Sequence, residues 1–338
     1  MTERYYINFC DDFNTERRIS IIDREFDGVA IELKADVNPF SVSYDAEDDF
    51  KFTAIRPSLG TINIILGGSD GVDFEEFWTS DEKRFKVEVR TVTGNLEFAG
   101  FVIPNGFSYE LKGGLYHATL EASDGLGLLE GVEFKDDNGL PYGNQDLTHN
   151  NGFEFPISLV ISEILRKTGL NLDIWTRIDS FPKGSSVGAV PNRFGDALSA
   201  AFVNVKTYIK ANDNEKIPYW YSTDDVWNCK EVLENVLYVF GAKLYQDFGV
   251  WRVKSVNSDI DYGSGSTQRY WRKYNTVGTY LSNYETVDDE VNIPCNSDSK
   301  LMIGNDHIMS MDEVYKAFRI NYEYTFLREG DTPLNLLQ

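Results

Sequence analysis

Apolar and polar positions alternate along most of the first 134 residues. RYYINFC, RRISIID, GVAIELK, TINIIL, KRFKVEVRT, NLEFAGFVI and GLYHATLEAS each combine β-branched and aromatic enrichment with the period-two pattern of half-buried strands. Ile62, Ile64 and Leu66 fall on one face of the fourth, and Phe85, Val87 and Val89 on one face of the fifth. GGSDG at 67–71 and TGN at 93–95 supply the left-handed and Asx-stabilised backbone that tight turns need. The spacing predicts an antiparallel barrel or sandwich over 1–134.

The pattern then changes. KDDNGLPYGNQDLTHNNG, 135–152, is polar, rich in Gly and Asn, without period, and reads as a linker or surface loop. In 153–261 the period lengthens. Ile157, Val160, Ile161, Ile164 and Leu165 form the stripe of a helix with one buried face, Arg166 and Lys167 occupy its last turn, Gly169 caps it, and LNLDIW follows as a strand. A second such unit begins with a capping-box-like Ser222 to Asp225 spacing. It carries Cys229, Val232, Leu233, Val236, Leu237 and Phe240 on one face and stops at Gly241. At an offset of 72 residues Val160, Leu165, Gly169 and Leu172 fall on Val232, Leu237, Gly241 and Leu244, which duplication and convergence explain equally well. RFGDALSAAFVNV is a third helical candidate, with Phe194, Leu198, Ala201, Phe202 and Val205 on one side. AKLYQ and VWRVKSV flank Asp247-Phe248-Gly249, a hairpin turn. After the break GSGST at 263–267, QRYWRKYN, TVGTYLS and AFRINYEYTFL predict a second β-domain over 262–338. The fold class is therefore mixed β and α+β, with two antiparallel β-domains flanking a central α+β region.

Composition adds a charge argument. The 338 residues hold 32 basic and 54 acidic side chains, a net charge of -22. Each phosphate contact needs a Lys or Arg, so stable nucleic-acid binding is disfavoured; a wall past which DNA slides without sticking is favoured by the same repulsion. MTERYYINFCDDF lacks the basic and apolar regions of a signal peptide, and no window of about 18 apolar residues predicts a membrane span. Synthesis and folding in a cytoplasm are expected. Cys10, Cys229 and Cys295 are distant and odd in number, which reads as buried free thiols.

The residues suggest no chemistry. His117, His149 and His307 lie near neither an HExxH pair nor a GxSxG elbow, and no short-spaced Cys or His pair predicts zinc. Asp11-Asp12, Asp48-Asp49, Glu75-Glu76, Asp136-Asp137, Asp224-Asp225 and Asp288-Asp289-Glu290 are too many for any one pair to point to a glycosidase. DDNG at 136–139 is a weak oxygen-rich loop for Ca²⁺. GGSDG and DGLGLLEG lack the lysine of a phosphate loop and read as turns. No catalytic, cofactor-binding or metal-binding residue is assigned, and no enzyme activity or cofactor is expected.

Several phrases in order resemble the tail-hub, or baseplate-hub, proteins at the tip of tailed bacteriophages and prophages. They are FTAIRPSLGTINII, FWTSDEKRFKVEVRT, NLEFAGFVIPN and YHATLEASDGLGLLEGVEF with Asp124, Gly125, Leu126, Gly127 and Leu128, then LVISEILRKTGLNLDI and CKEVLENVLYVFGAKLYQDFGVWRV, spanning roughly 3–256. The resemblance implies a virion structural protein forming a trimeric ring at the end of the tail tube. Each chain would give two small tail-tube-like β-barrel domains with α+β domains between, around a lumen that DNA crosses on ejection. It implies partners as well: further copies of the chain, tail tube and distal tail proteins, and tail fibre or tip (spike) proteins. The departure is 262–338, whose strands do not visibly repeat the first domain. The alternatives are a distal tail ring protein of the same machine, a glycan-binding β-rich surface protein suggested by 19 Tyr, 22 Phe and 6 Trp, and a carbohydrate- or peptide-cleaving enzyme.

Overall fold

The computed structural model describes residues 2–11, 15–44, 53–66, 74–112, 115–142, 154–178, 198, 201–209, 226–255 and 270–285. The first sheet takes its strands from β1 (Thr2–Cys10), β2 (Glu16–Asp23), β3 (Ile31–Glu32), β4 (Lys34–Tyr44), β6 (Ser58–Leu66), β7 (Phe85–Thr91), β8 (Leu96–Lys112) and β9 (Leu115–Ser123), in the order β3-β1-β2-β7-β8-β9-β6-β4. Its two terminal strands are separated in sequence by Leu33 alone, whose N–H donates to the Tyr6 carbonyl. The sheet therefore curls until a single stretch of chain runs along both of its ends. The ladder itself stays open, since β3 pairs with β1 and β4 with β6, so the expected first barrel is a curled sheet without a closed ring of strand pairs.

Alternation explains the interior. Ile7, Ile19, Ile21, Ile62, Ile64, Val87, Val89 and Leu120 are fully buried on the concave side, while their sequence neighbours stay half-buried or exposed. NLEFAGFVI departs from alternation for a physical reason: β8 is covered on both faces. Phe98 and Val102 enter the first core, and Ala99 and Phe101 enter the second. The pattern did not predict β4, whose KADVNPFSVSY does not alternate: it is a terminal strand with no fully buried residue, broken by a bulge between Ala35 and Phe40 with Asn38 at φ 58.

The second unit is built on six strands in the order β16-β15-β11-β14-β13-β5. They are β5 (Ile55–Arg56), β11 (Ile174–Arg177), β13 (Ala242–Asp247), β14 (Val250–Ser255), β15 (Tyr270–Tyr274) and β16 (Tyr280–Glu285). Helices α1 (Ile157–Lys167) and α2 (Cys229–Val239) pack their predicted stripes against it, with Ile164, Val232, Leu233 and Leu237 fully buried. Gly169 (φ 89) and Gly241 (φ 53) end them in the left-handed region. The likeness of the two units stops there: Leu172 precedes β11, whereas Leu244 lies inside β13, and the two strands run in opposite senses against β14. The hairpin turn places both Phe248 (φ 46) and Gly249 (φ 66) at positive φ, as a two-residue loop matched to strand twist requires.

Four expectations change. The capping box of α2 is Asn228 with Glu231: Glu231 N–H donates to Asn228 Oδ1 at 2.8 Å, and Asn228 N–H to Glu231 Oε2 at 3.0 Å. Ser222 and Asp225 lie outside the described residues. The third helical candidate ends in strand β12 (Phe202–Asn204), which pairs with β10 (Glu154–Pro156) and leaves Phe202 exposed, while Leu198 is helical and buried. The start of the expected linker is pinned, because Phe134 and Tyr142 stack 4.5 Å apart within the second core; 143–152 lies outside the described residues. Finally, β15 and β16, expected to open a separate C-terminal β-domain, extend the second sheet, drawn in by Tyr274 and Tyr280 packing on its core. GSGST and AFRINYEYTFL lie outside the described residues.

Candidate functional site

The residues singled out in the sequence do not converge. His117 Nδ1 lies 2.7 Å from Asp36 Oδ2 on the outside of the first sheet. Cys10 is exposed on β1. Cys229 donates its S–H to the Glu133 carbonyl, and burial pushes the thiol up to about 12, so it is held as an inert thiol. Asp11 pairs with Arg17 and Glu76 with Arg4, while Asp137 takes Arg166 at 2.8 Å. Asp136 Oδ1 accepts the N–H groups of Asn138 (2.9 Å) and Leu140 (2.8 Å), so the carboxylate of the DDNG loop serves its own turn. Among the described residues no three His, Cys, Asp or Glu side chains gather as a metal site. GGSDG, Asp12, Asp48-Asp49, Asp224-Asp225, Asp288-Asp289-Glu290, His149, His307 and Cys295 lie outside the described residues.

DGLGL has a definite role, as the joint between the two units. Asp124 is fully buried. Its Oδ2 accepts Ser58 N–H (2.8 Å) and Oγ–H (2.7 Å) from the start of β6, and its Oδ1 accepts Leu126 N–H (3.0 Å) at the head of a 3-10 helix, Leu126–Gly131, whose Leu126 and Leu129 enter the second core. Burial raises its pKa to about 6, against the pull of these three donors. Gly125, at φ +80, sits where a Cβ would stand 3.3 Å from Thr168, just past α1. Beside this joint the Gln246 side chain grips the backbone of Ala99 from both sides: Ala99 N–H donates to Oε1 at 2.7 Å, and Nε2 donates to the Ala99 carbonyl at 2.8 Å. Tyr44 donates to the Gln246 carbonyl (2.9 Å), and Lys83 to the Lys167 carbonyl (2.7 Å).

The outer face of the second sheet is the chemically distinctive surface. Register places Arg56, Tyr245, Arg252, Trp175 and Lys273 side by side on β5, β13, β14, β11 and β15, a row alternating cation and aromatic across five strands. A second row sets Lys243, Lys254 and Arg177 together. The Arg252 guanidinium lies 4.5 Å from the ring centres of both Trp175 and Trp271, and the Lys273 ammonium lies 4.2 Å from Trp175. Such contacts are worth about 0.5–2 kcal/mol, more as they are desolvated. The Tyr44 ring meets Tyr245 edge-on. Burial, then Arg56, lowers Lys243 to about 8. Trp271 and Arg177 are buried, while Arg56, Lys243, Tyr245, Lys254 and Lys273 are half-buried. Among the described residues, six cations of these strands share a face with Asp247, which pairs with Arg252 at 3.6 Å. Period two in KLYQD, WRVKS and YWRKY was the signal; which strands are neighbours is what the sequence could not supply.

No family model and no curated protein matches the chain. Among solved structures it is similar to the crystal structure of the 43 kDa tail protein of prophage MuSo2 from Shewanella oneidensis, at a TM-score of 0.30 and 10% identity, over 60% of this chain and 47% of that one. The match thus spans about half of that protein's length, and at this TM-score it is too slight to assign a fold.

Proposed function

We propose that the chain is a structural subunit of a bacteriophage tail, forming a trimeric hub ring at the end of the tail tube. One observation carries the reading. FTAIRPSLGTINII, YHATLEASDGLGLLEG and LVISEILRKTGL, three of the phrases that resemble tail hubs, meet at the single joint where Asp124 holds Ser58 and Leu126 and Gly125 abuts Thr168. A β-unit is thereby fixed rigidly against an α+β unit, the order that the resemblance implies. The surplus of acids suits a lumen that DNA must cross without binding. The function on this reading is geometry and assembly, in the virion, with tail tube, distal tail and tip or fibre proteins as neighbours.

Negative-stain images of the purified full chain test this. Three-fold rings with an open centre are expected. Six-subunit rings would favour a distal tail ring instead, and particles of single chains at every concentration would overturn the ring reading.

A further inference from the structure

We infer that residues 40–44, the second half of β4, are a docking edge that takes one extended segment of another protein as a further strand of the first sheet, a segment uncharged in its centre and flanked by Lys or Arg. The inference goes beyond the tail reading and stands whether or not the chain forms a ring. Its first support is the direction of the backbone groups. Asp124 N–H donates to the Ser58 carbonyl, so Ser58, Gly60 and Ile62 turn their N–H and C=O toward β9, and Leu59 and Thr61 turn theirs toward β4. Ser43 and Ser41, opposite Leu59 and Thr61, therefore bond to β6, while Phe40, Val42 and Tyr44 point their N–H and C=O away from it. Strand β4 ends the sheet, and among the described residues no strand takes up those six groups. They are open to a partner, since Ser41, Val42, Ser43 and Tyr44 are all exposed.

The second support is what this half of the strand lacks. The first half of β4 carries Lys34, the bulge and Pro39, the devices that keep a sheet edge from pairing, whereas FSVSY has no charge, no proline and no bulge. It is also held straight at both ends. Phe40 packs on Phe98 of the first core with ring centres 5.5 Å apart, and the Tyr44 hydroxyl donates to the Gln246 carbonyl at 2.9 Å, so an incoming strand meets an edge already ordered. The third support is charge, and it selects the occupant. Between Lys34 and Lys51 the sequence holds five acids, Asp36, Asp45, Glu47, Asp48 and Asp49, and no base. A second copy of this chain would bring the same five acids to the same edge. A segment with Lys or Arg at its ends would instead pair backbone to backbone along 40–44 and set its cations beside those acids.

Fluorescence anisotropy of the labelled peptide KKTVTVTVKK, titrated with the full chain, tests the inference, with EETVTVTVEE and KKTVPVPVKK as comparison peptides. The basic strand peptide is expected to bind, and to bind less tightly as salt screens its flanks. The acid-flanked peptide has the wrong sign and the proline peptide lacks ladder donors, so each should bind weaker by about tenfold or more. Val42→Pro removes an N–H that points away from β6, which an edge strand tolerates, and should abolish binding of KKTVTVTVKK with the circular dichroism unchanged. Should the proline unfold the chain, Val42→Lys replaces it, with a loss of about tenfold or more expected from a charge set on the edge. No binding of KKTVTVTVKK, equal binding of either comparison peptide, or unchanged binding to a folded Val42 variant would overturn the inference. Each of these results leaves the ring reading intact, because particle images of the chain alone decide that.

Discussion

On the outside of the first sheet Arg18 is held by Glu3 at 2.5 Å, and Glu88 lies between Lys86 (2.7 Å) and Arg90 (3.0 Å). On the outside of the second, Arg252 and Lys273 lie over Trp175. Both surfaces are strongly charged, yet the first sets its charges against opposite charges, whereas the second, beside the Arg252–Asp247 pair at 3.6 Å, sets cations against aromatic rings. Exposed pairs of the first kind are worth about 0–1 kcal/mol each and keep a surface soluble. A face of the second kind has the residue types of a contact surface.

The comparison can be broken most severely at the two cores. Leu120→Ala in the first and Leu237→Ala in the second each remove a fully buried side chain and should cost about 2–5 kcal/mol. Because the joint couples the units, calorimetry on either variant should still show one transition at a lowered Tm; an unaltered Tm for either would contradict the packing. Gln246→Ala attacks the joint itself, leaving a buried N–H and C=O of Ala99 without their partners. At about 1–3 kcal/mol per lost partner, it should cost about 3 kcal/mol and separate the melting of the two units.

Two buried carboxylates sharpen the contrast through pH. Asp23 is fully buried, and although burial alone would raise it, the Glu25 N–H, Arg84 and Arg4 outweigh burial and hold it low. Its contribution is present above the unfolded carboxylate value and is lost as pH falls through its lowered one. Asp124 has no such cations and stands at about 6, so its effect has the opposite sign: stability should fall as pH rises from about 4 to about 6, by about 3 kcal/mol. Asp124→Asn should flatten Tm against pH in that window, and Asp23→Asn only below it; a slope between pH 4 and 6 retained in Asp124→Asn would refute the assignment. The smallest change is expected of Glu88→Gln, which breaks two half-buried surface pairs and should alter stability by under about 1 kcal/mol per pair, read by urea titration.

Strands with one wet face were legible because alternation is a local property: Ile62, Ile64, Phe85, Val87 and Val89 all lie where period two puts them. So were the stripes of α1 and α2 and their glycine stops. What escaped was non-local or unpatterned. Strand β5 has two residues and exists only because Leu244 and Tyr245 accept it as an edge. The second sheet recruits residues 55, 174, 242, 250, 270 and 280 from separated stretches of chain, an order that no window of sequence contains. The cationic face was hidden for the same reason, since Arg56, Arg252 and Lys273 become neighbours only when that order is known. The capping box lies six residues beyond the expected one, because Ser222 to Asp225 has the same spacing as Asn228 to Glu231.

Solution mass tests the central claim, that this is a ring-forming subunit. Light scattering of the purified chain should give three times the 38.5 kDa chain mass. A mass of 38.5 kDa at every protein concentration would contradict it.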